Sequence, residues 1–517
     1  MIAVQHRSTP LRRRPLAVQL AAVVLAIAAL PGVAQTSVDT SWIRFRSEPA
    51  RRLFPQLPAA RTTNTGAHAP SSSLPVTNCD DDGPGSLRQT IAAAADGDTV
   101  DLTALRCGTI TLQTGAIPVG VDSLVLNGPG RFMLSIGGNQ LDRVFLHYGG
   151  GTLTVHGLTI SDGRNRADEF DIAGGGCIAS AGYIALYDST IRNCYARGQG
   201  AYGGALYAYS LTMSNSTLSG NHAFGAQEQG STAAFGGAAF VYGLQLAGST
   251  ISGNRADHQA DGDFASYDIG GGIVAVRGGS VYDSTIDTNV SGARGGGIAV
   301  FSNLSVFNST VSSNRAAGEI GGGFFLRWPA ALQLGNSTVT SNSAGFDGGG
   351  VWLNAPGSVF ASSIIFGNSS DVGNRDNRYG GPTAVLIEGG RNLVGPAAPL
   401  TNLPADTLHA DPQLLPLAYN GGSTRTHALA AASPAIDAGN NESGLLFDQR
   451  GSAFPRVFGA ATDIGAFEQQ GAAPPPAQVP VPALSGWLSA LLVSLLAAAA
   501  WARQPRRRPA RRAFRDR

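Results

Sequence analysis

The sequence predicts an all-β protein folded as a right-handed parallel β-helix, a solenoid with a helical cap at its N-terminal end. Three observations indicate this fold class. A pattern of paired Gly, Ser-Thr and Asn recurs about seven times between Gly174 and Asn368. Apolar residues within each copy are spaced by two, as in strands. The chain holds 69 Gly and few aromatic residues, a composition that favours many tight turns.

The repeats align on their glycine pairs and on the strand starts that follow them. Successive strand starts lie 25 to 35 residues apart, and self-similarity at this period is typical of a solenoid. Most of the length variation falls between the Asn and the next glycine pair, where loops can be inserted. The glycine pairs begin at Gly175, Gly203, Gly236, Gly270, Gly295, Gly321 and Gly348. The strand starts are Ser189, Ser216, Ser249, Ser284, Ser309, Ser337 and Ser362.

One copy shows the predicted strands most clearly. Ile298 and Val300, then Leu304 and Val306, then Val311 follow the spacing of two, whereas a helix would space them by three or four. Three short strands per copy predict a triangular coil. Coils stacked at about 4.8 Å would pair each strand in parallel with its equivalents in the neighbouring coils.

The recurring Asn and Gly have structural roles in this prediction. The Asn residues should stack at one turn and hydrogen-bond along the solenoid axis. Asn215, Asn308 and Asn336 also match a glycosylation acceptor, but their fixed repeat position favours a turn. The glycine pairs should form corners with positive φ, and they lack the Lys of a phosphate-binding loop. The stacking series is Asn221, Asn254, Asn289, Asn314, Asn342 and Asn368.

The N-terminus has the three parts of a secretory signal. Arg12, Arg13 and Arg14 precede an apolar stretch over residues 16–30, and Gly32-Val33-Ala34 forms a small-residue cleavage site. We expect residues 1–34 to be removed on export; an uncleaved anchor is the alternative. Residues 35–74 are rich in Arg, Pro, Ser and Thr without a period and predict a linker.

Residues 75–173 should form the cap and the first coils. Ser86 is a suitable N-cap for an apolar, Ala-rich helix that ends near Gly97. Such a helix would cover the open first coil, whose core and unpaired strands would otherwise face solvent. The main repeats then occupy residues 174–368.

The C-terminus predicts a membrane attachment. Residues 471–483 are a Pro-rich spacer, residues 484–502 are nineteen mostly apolar residues that predict a transmembrane helix, and residues 503–517 form an Arg-rich cytoplasmic tail. This region resembles the IPTL-CTERM type of bacterial sorting signal, which implies cleavage by an exosortase; a plain membrane anchor is the alternative. The motif residues are Val481, Pro482, Ala483, Leu484, Ser485 and Trp487.

Residues 369–470 contain further coils and a second set of motifs. Asn392-Leu393-Val394-Gly395, residues 433–439 (Ser-Pro-Ala-Ile-Asp-Ala-Gly) and residues 463–468 (Asp-Ile-Gly-Ala-Phe-Glu) resemble the bacterial choice-of-anchor Q domain. That resemblance implies an extracellular β-helix followed by an anchor, without an established activity.

The repeats also resemble those of polymorphic outer-membrane proteins, which are adhesins. The charged residues Asp448, Arg450, Asp463 and Glu468 fit charge pairing better than catalysis.

Four Cys in an exported chain indicate disulfides, and three pairings are possible. We favour Cys79 with Cys107, because both flank the cap helix. Cys177 and Cys194 share one repeat, where they form either a second disulfide or a pair of buried free thiols.

Charge and acidic loops limit the partners. Residues 36–502 hold 24 Arg, no Lys and 34 acidic residues, a net charge of −10 that argues against a nucleic-acid partner. One inserted loop concentrates aspartates that could bind Ca²⁺, and no other cofactor is expected. A second acidic loop holds Asp162, Asp168, Glu169 and Asp171. The candidate calcium ligands are Asp257, Asp261, Asp263 and Asp268.

These features predict an exported, surface-anchored scaffold that binds a carbohydrate, matrix or cell-surface partner. The alternative is a carbohydrate-active enzyme of the β-helix type, a polysaccharide lyase or hydrolase. The sequence shows neither a pectinase-type motif nor a general base, so no catalytic residue is assigned and the scaffold is favoured.

Overall fold

The computed structural model describes residues 72–167, 171–226, 233–258, 267–353, 356–371, 377–379, 386–395 and 403–471. Over these residues the chain is a parallel β-helix of the right-handed type with almost no helix, as predicted. Its contacts divide the chain into Met1–Glu468 and Gln469–Arg517, and only residues 469–471 of the second unit are described. The predicted leader, transmembrane helix and sorting motif lie outside the described residues. No helix among those described is long and apolar enough to cross a membrane.

The largest sheet, the wide sheet, has 20 strands in the described part of the chain, all paired in parallel. It comprises Ser73–Pro75, Thr99–Asp101, Ile117–Val119, Leu124–Asn127, Phe145–His147, Thr152–His156, Ile178–Ser180, Tyr183–Tyr187, Leu206–Ser214, Ala239–Ala247, Ile273–Ala275, Gly279–Tyr282, Ile298–Val300, Leu304–Phe307, Phe324–Leu326, Leu332–Gly335, Val351–Leu353, Ser358–Ala361, Asn377–Tyr379 and Ile387–Gly390.

A second sheet, the Ser-Thr sheet, contains the strands that begin at the repeated Ser-Thr. It comprises Thr109–Thr111, Ser135–Gly137, Thr159–Ser161, Thr190–Arg192, Thr217–Ser219, Thr250–Ser252, Thr285–Asp287, Thr310–Ser312, Thr338–Thr340, Ile364–Phe366 and Leu393–Val394. The central residue of each strand points into the coil, and the resulting ladder of aliphatic side chains is fully buried.

Two further sheets follow the repeated Asn. The third sheet comprises Arg164–Arg166, Tyr195–Gly198, His222–Gly225, Arg255–His258, Val290–Ser291, Arg315–Ala316, Ser343–Ala344 and Ser369–Ser370. The small sheet comprises Ile172–Gly174, Gly200–Tyr202 and Ala233–Phe235. The sequence predicted three strands per coil. The structure adds the short strands of the third and small sheets, which lie between the Asn and the next glycine pair, in the stretch expected to form loops.

The predicted ladders along the axis are present. The Nδ2 atom of Asn254 donates to Oδ1 of Asn289 at 2.8 Å, and the same bond links every pair of neighbours from Asn221 to Asn368 at 2.8 to 2.9 Å. From Ser216 onward, the hydroxyl of each repeated Ser accepts a hydrogen bond from the backbone amide of the Ser one coil earlier. The last Ser of this series is Ser363 and not Ser362, which has positive φ in the turn before it. These bonds satisfy polar groups that are buried inside the solenoid.

The two glycines of each pair have different reasons to be glycine. The first has positive φ, for example +69° at Gly203 and +64° at Gly295. The second lies against the next coil: a Cβ on Gly204 would meet the carbonyl oxygen of Gly237 at 2.1 Å. The corner therefore requires both conformational freedom and the absence of a side chain.

The N-terminal end is closed as predicted by the helix Leu87–Ala93. Ser86 caps it by accepting a hydrogen bond from the amide of Gln89 at 3.3 Å, and Leu87 and Ile91 join the main core. Cys79 is joined to Cys107 beside this helix, with 6.5 Å between their Cα atoms. A second disulfide joins Cys177 to Cys194. The amide of Cys194 donates to Asn221, so this disulfide stands at the start of the Asn ladder.

Residues 403–468, the C-terminal segment, lie along the outside of the Ser-Thr sheet. The Thr285 hydroxyl donates to the carbonyl oxygen of Arg425 at 2.6 Å, and the Thr310 hydroxyl donates to Gln449 at 2.6 Å. The amide of Ala466 donates to the hydroxyl of Thr338 at 3.1 Å. The sequence predicted that the coils continue to residue 470. Instead, the described residues after 394 form isolated bridges, and this segment covers the flank of the last coils.

The charged residues of this segment pair with one another. Arg450 binds Asp448 at 2.6 Å, and its guanidinium carbon lies 3.8 Å from the ring centroids of Phe454 and Phe467. Glu468 accepts hydrogen bonds from the backbone amides of Phe458 and Asp463. These contacts agree with the structural role predicted for this charge cluster.

Candidate ligand-binding face

The outward side of the third sheet carries an unusual concentration of Arg and aromatic side chains. Register places Arg164, Tyr195, His222 and Arg255 in one column along the axis, and Arg166, Arg197, Phe224 and Asp257 in the adjacent column. We call these eight residues the Arg-aromatic face: Arg164, Arg166, Tyr195, Arg197, His222, Phe224, Arg255 and Asp257.

Strand alternation explains why these side chains point outward. The residues between the two columns, Asn165, Ala196, Ala223 and Ala256, are buried. Ala223 and Ala256 pack against Ala201 and Ala234, so small side chains allow the small sheet to lie close behind the third sheet. Four coils at a spacing of about 4.8 Å give the face a length of about 14 Å along the axis. The face is therefore a short, rigid, two-column surface.

Aromatic rings and guanidinium groups contact one another on the face. The guanidinium of Arg164 lies 5.1 Å from the ring centroid of Tyr195, and that of Arg197 lies 5.8 Å from that of Phe224. Tyr195 and Phe224 are stacked with 6.4 Å between centroids. The ring of His222 packs edge-on against both, at 5.2 and 5.6 Å. These contacts hold the cationic groups in place without neutralising them.

Three of the four arginines have no acidic partner among the residues that the structure describes. Within the described ranges, no carboxylate forms an ion pair with Arg164, Arg166 or Arg197, whereas Arg255 binds Asp257. The Nε atom of Arg164 is buried and lacks a hydrogen-bond partner among the same residues. Buried hydrogen-bond donors in folded proteins normally have an acceptor, so this Nε atom is available to an acceptor on a ligand. The eight residues of the face therefore include four arginines and one aspartate, on a chain whose residues 36–502 are net acidic.

A histidine and an aspartate meet at one end of the face, between its third and fourth coils. The Nε2 atom of His222 lies 2.5 Å from Oδ1 of Asp257, while the other carboxylate oxygen accepts from Nε of Arg255. Burial acts to raise the pKa of Asp257, but the hydrogen bonds from His222 and Arg255 outweigh it and hold the pKa below its ordinary value. Asp257 therefore remains an anion that fixes the imidazole.

A second histidine–aspartate pair lies behind the face. Asp268 is fully buried; its side chain lies 2.5 Å from Nδ1 of His258 and accepts from the amide of Ala234 at 3.0 Å. Burial raises the pKa of Asp268 to about 6. The backbone bridge between Phe235 and Ile269 places Asp268 next to Ala234, one of the buried alanines of the small sheet. It is part of the packing between the two sheets.

The predicted calcium loop is only partly described. Asp257 and Asp268 are described and each contacts a histidine, whereas Asp261 and Asp263 lie outside the described residues. The described residues contain no group of three or more His, Cys, Asp or Glu arranged to hold a metal ion. In the second acidic loop, Asp162 and Asp171 are described, and Asp168 and Glu169 are not. Calcium binding stays a prediction.

Sequence reasoning singled out Asp257 but missed the rest of the face. The signal for the column was position in the repeat. Tyr195, His222 and Arg255 each directly follow Cys194 or a ladder Asn. The exposed Arg315, further along the same sheet, also follows a ladder Asn. Residue type changes from coil to coil at this position, so no motif repeats. Aligning the residues after the Asn would have indicated the column.

Comparisons with known proteins show no family for this chain. No protein-family model matches the chain, and no curated protein matches it. Among solved structures, the crystal structure of pectate lyase Pel9A aligns with a TM-score of 0.41 and 16% sequence identity, covering 78% of this chain and 98% of that chain.

Proposed function

We propose that the protein is an exported β-helix scaffold whose Arg-aromatic face binds an acidic polysaccharide. The observation that carries the proposal is the set of three arginines, Arg164, Arg166 and Arg197, that lack acidic partners among the described residues. Two of them, Arg164 and Arg197, lie over aromatic rings. The sequence analysis left the partner open among carbohydrates, matrix components and cell surfaces. This face favours a carbohydrate that carries carboxylates.

Acidic sugars match both kinds of side chain on the face. A guanidinium forms paired, charge-assisted hydrogen bonds with a carboxylate, and it keeps its charge at all physiological pH values. The parts of the Tyr195 and Phe224 rings that Arg164 and Arg197 leave uncovered can pack against the C–H surface of a pyranose. The flat, rigid surface of about 14 Å would hold a few sugars of an extended chain in register with the coils.

Anchoring at the cell surface is the second part of the proposal. It rests on the signal at residues 1–34, on the choice-of-anchor Q resemblance and on the tail after residue 471. We expect the mature protein to lack residues 1–34 and to fractionate with membranes. Terminal peptide mapping tests this: recovery of an intact leader in a soluble cytoplasmic fraction would contradict export. Loss of peptides beyond Trp487 would favour cleavage by a sorting protease over plain anchoring.

Binding measurements with matched variants test the ligand. The purified full chain is titrated with polygalacturonate, with a neutral galactan and with duplex DNA. We expect binding to polygalacturonate alone, weakened by salt. Arg164→Gln and Arg197→Gln should each weaken it about tenfold, the equivalent of roughly 1.4 kcal/mol for one charge-assisted hydrogen bond.

Arg315→Gln is the control, because Arg315 is an exposed arginine of the same column two coils beyond Arg255. Its binding should be unchanged. An equal loss of affinity in all three variants would show that binding depends on overall charge alone and would refute a defined binding face. Tighter binding to DNA than to the polyuronate would refute the glycan.

A further inference from the structure

We infer that the Arg-aromatic face cleaves the acidic polysaccharide by β-elimination, with His222 as the general base and Asp257 as its positioning residue. This inference rests on the proposed function, because it requires a uronate chain on the face. It assigns a chemical step where the sequence analysis named no base.

The geometry of the pair suits a base. Nε2 of His222 is the ring nitrogen that faces Asp257, so an N–H there donates to the carboxylate and leaves the lone pair on Nδ1. Nδ1 has no hydrogen-bond partner among the described residues. Asp257 is itself held by Arg255, which fixes the orientation of the whole pair. A carboxylate that sets the tautomer of a histidine is the arrangement that makes imidazole an effective general base.

The neighbouring arginines supply the other requirement. In a uronate, the C5 hydrogen is next to the carboxylate, and its removal places negative charge on that carboxylate. Arginine bound to the carboxylate stabilises this charge as it develops. Arg164 and Arg197 both contact the aromatic rings against which the imidazole of His222 packs. The face therefore brings a base and carboxylate-binding cations together.

The step balances without any further reactant. Nδ1 of neutral His222 takes the C5 proton, the C–H electron pair forms the C4–C5 double bond, and the C4–O4 bond breaks with its electrons on oxygen. The imidazolium then returns its proton to that oxygen. The products are an unsaturated uronate and a new chain end, and His222 is regenerated. Water is not consumed.

Hydrolysis fits the face less well. Glycoside hydrolysis commonly requires two carboxyl groups about 5 to 9.5 Å apart, one of which is protonated. The Arg-aromatic face has one carboxylate, Asp257, and its contacts keep it ionised. Asp268 is fully buried behind the face. Elimination needs a base and charge neutralisation, and the face has both.

A second pair on the same solenoid provides a control. Nε2 of His156 lies 3.6 Å from Asp188, and both side chains are about half exposed. This pair lies on strands of the wide sheet and the turn that follows, away from the eight residues of the face. Substitution of His156 therefore tests whether any exposed His–Asp pair affects the reaction.

The test incubates the full chain with polygalacturonate, alginate and hyaluronate. Unsaturated products are detected by ultraviolet absorbance and mass spectrometry, reducing ends are counted, and binding is measured in parallel. We expect unsaturated product from at least one polyuronate. His222→Gln should lower kcat at least 100-fold while Kd changes less than threefold. Asp257→Asn should lower kcat and move the pH profile, and His156→Gln should match the original protein.

Each outcome is decisive. Binding without unsaturated product overturns the elimination and leaves the proposed function intact. New reducing ends without a double bond indicate hydrolysis and overturn it as well, as does a fully active His222→Gln variant. If none of the three polyuronates binds, both the proposed function and this inference fail. Melting temperatures of the variants within a few degrees of the original protein show that any loss is not due to unfolding.

Discussion

Substitution of one ladder asparagine should destabilise the whole β-helix. Asn314 is fully buried, and its Nδ2 donates to the carbonyl oxygen of Ile286 and to Asn342, both at 2.9 Å. Its Oδ1 accepts from the backbone amide of Asn289 at 3.0 Å and from the Asn289 side chain at 2.9 Å. Asn314→Ala removes all four bonds and leaves buried groups unpaired.

The expected cost follows from these contacts. Each buried donor or acceptor left without a partner costs about 1–3 kcal/mol. The neighbours Asn289 and Asn342 can recover part of this through relaxation, so we expect the free energy of unfolding to fall by about 3–5 kcal/mol. Urea unfolding followed by circular dichroism measures it. Asn303→Ala is the control, since exposed Asn303 accepts one bond, from Ala331 at 3.0 Å, and should cost about 1 kcal/mol. Equal effects of the two substitutions would refute a stabilising ladder.

Three further predictions concern pH, the first disulfide and calcium. Burial raises the pKa of Asp283 to about 6, so the folded state retains a proton that the unfolded chain releases. The free energy of unfolding should therefore decrease as pH rises from about 4 to about 6, and an Asp283→Asn variant should show a flatter profile; an unchanged slope would contradict the assignment. Replacing Cys79 and Cys107 by Ser opens a loop spanning 28 residues and should cost about 3 kcal/mol in urea unfolding, whereas no loss would show that the disulfide does not constrain the unfolded chain. If the aspartate loop binds Ca²⁺, calcium should raise the melting temperature relative to chelator, and the absence of a shift would contradict the calcium site. A large shift, abolished by Asn at all four, would establish the calcium site: Asp257, Asp261, Asp263 and Asp268.

The parts of the fold that repeat in sequence could be predicted from it. Each ladder Ser and Asn stands at a nearly fixed offset from a glycine pair, and its environment is the same in every coil, so residue type reports position. The cap helix could be predicted from Ser86 and from the apolar residues that follow. Here local sequence and tertiary structure impose the same requirement.

Other parts could not be predicted because their partners are distant in sequence. The strand Arg315–Ala316 is two residues long, too short for any period to show. The contact between His222 and Asp257 depends on a register across 35 residues, and the variable stretch between Asn and the next glycine pair hides that register. The C-terminal segment bonds to the flank of the Ser-Thr sheet at residues 78 to 173 positions earlier in the chain. No local pattern indicates where such a segment lies.

The path of the C-terminal segment has a consequence for how the molecule unfolds. Coils of a solenoid contact only their neighbours, so such chains commonly open a few repeats at a time from an end. Here one segment bonds to Thr285, Thr310, Thr338 and Ser362, which belong to four successive coils. These coils cannot separate one by one unless the segment leaves first. Amide hydrogen exchange in the last coils should therefore be a single cooperative event, while the coils from Thr190 to Ser219, which precede the contact of Arg425 with Ser252, exchange in smaller steps.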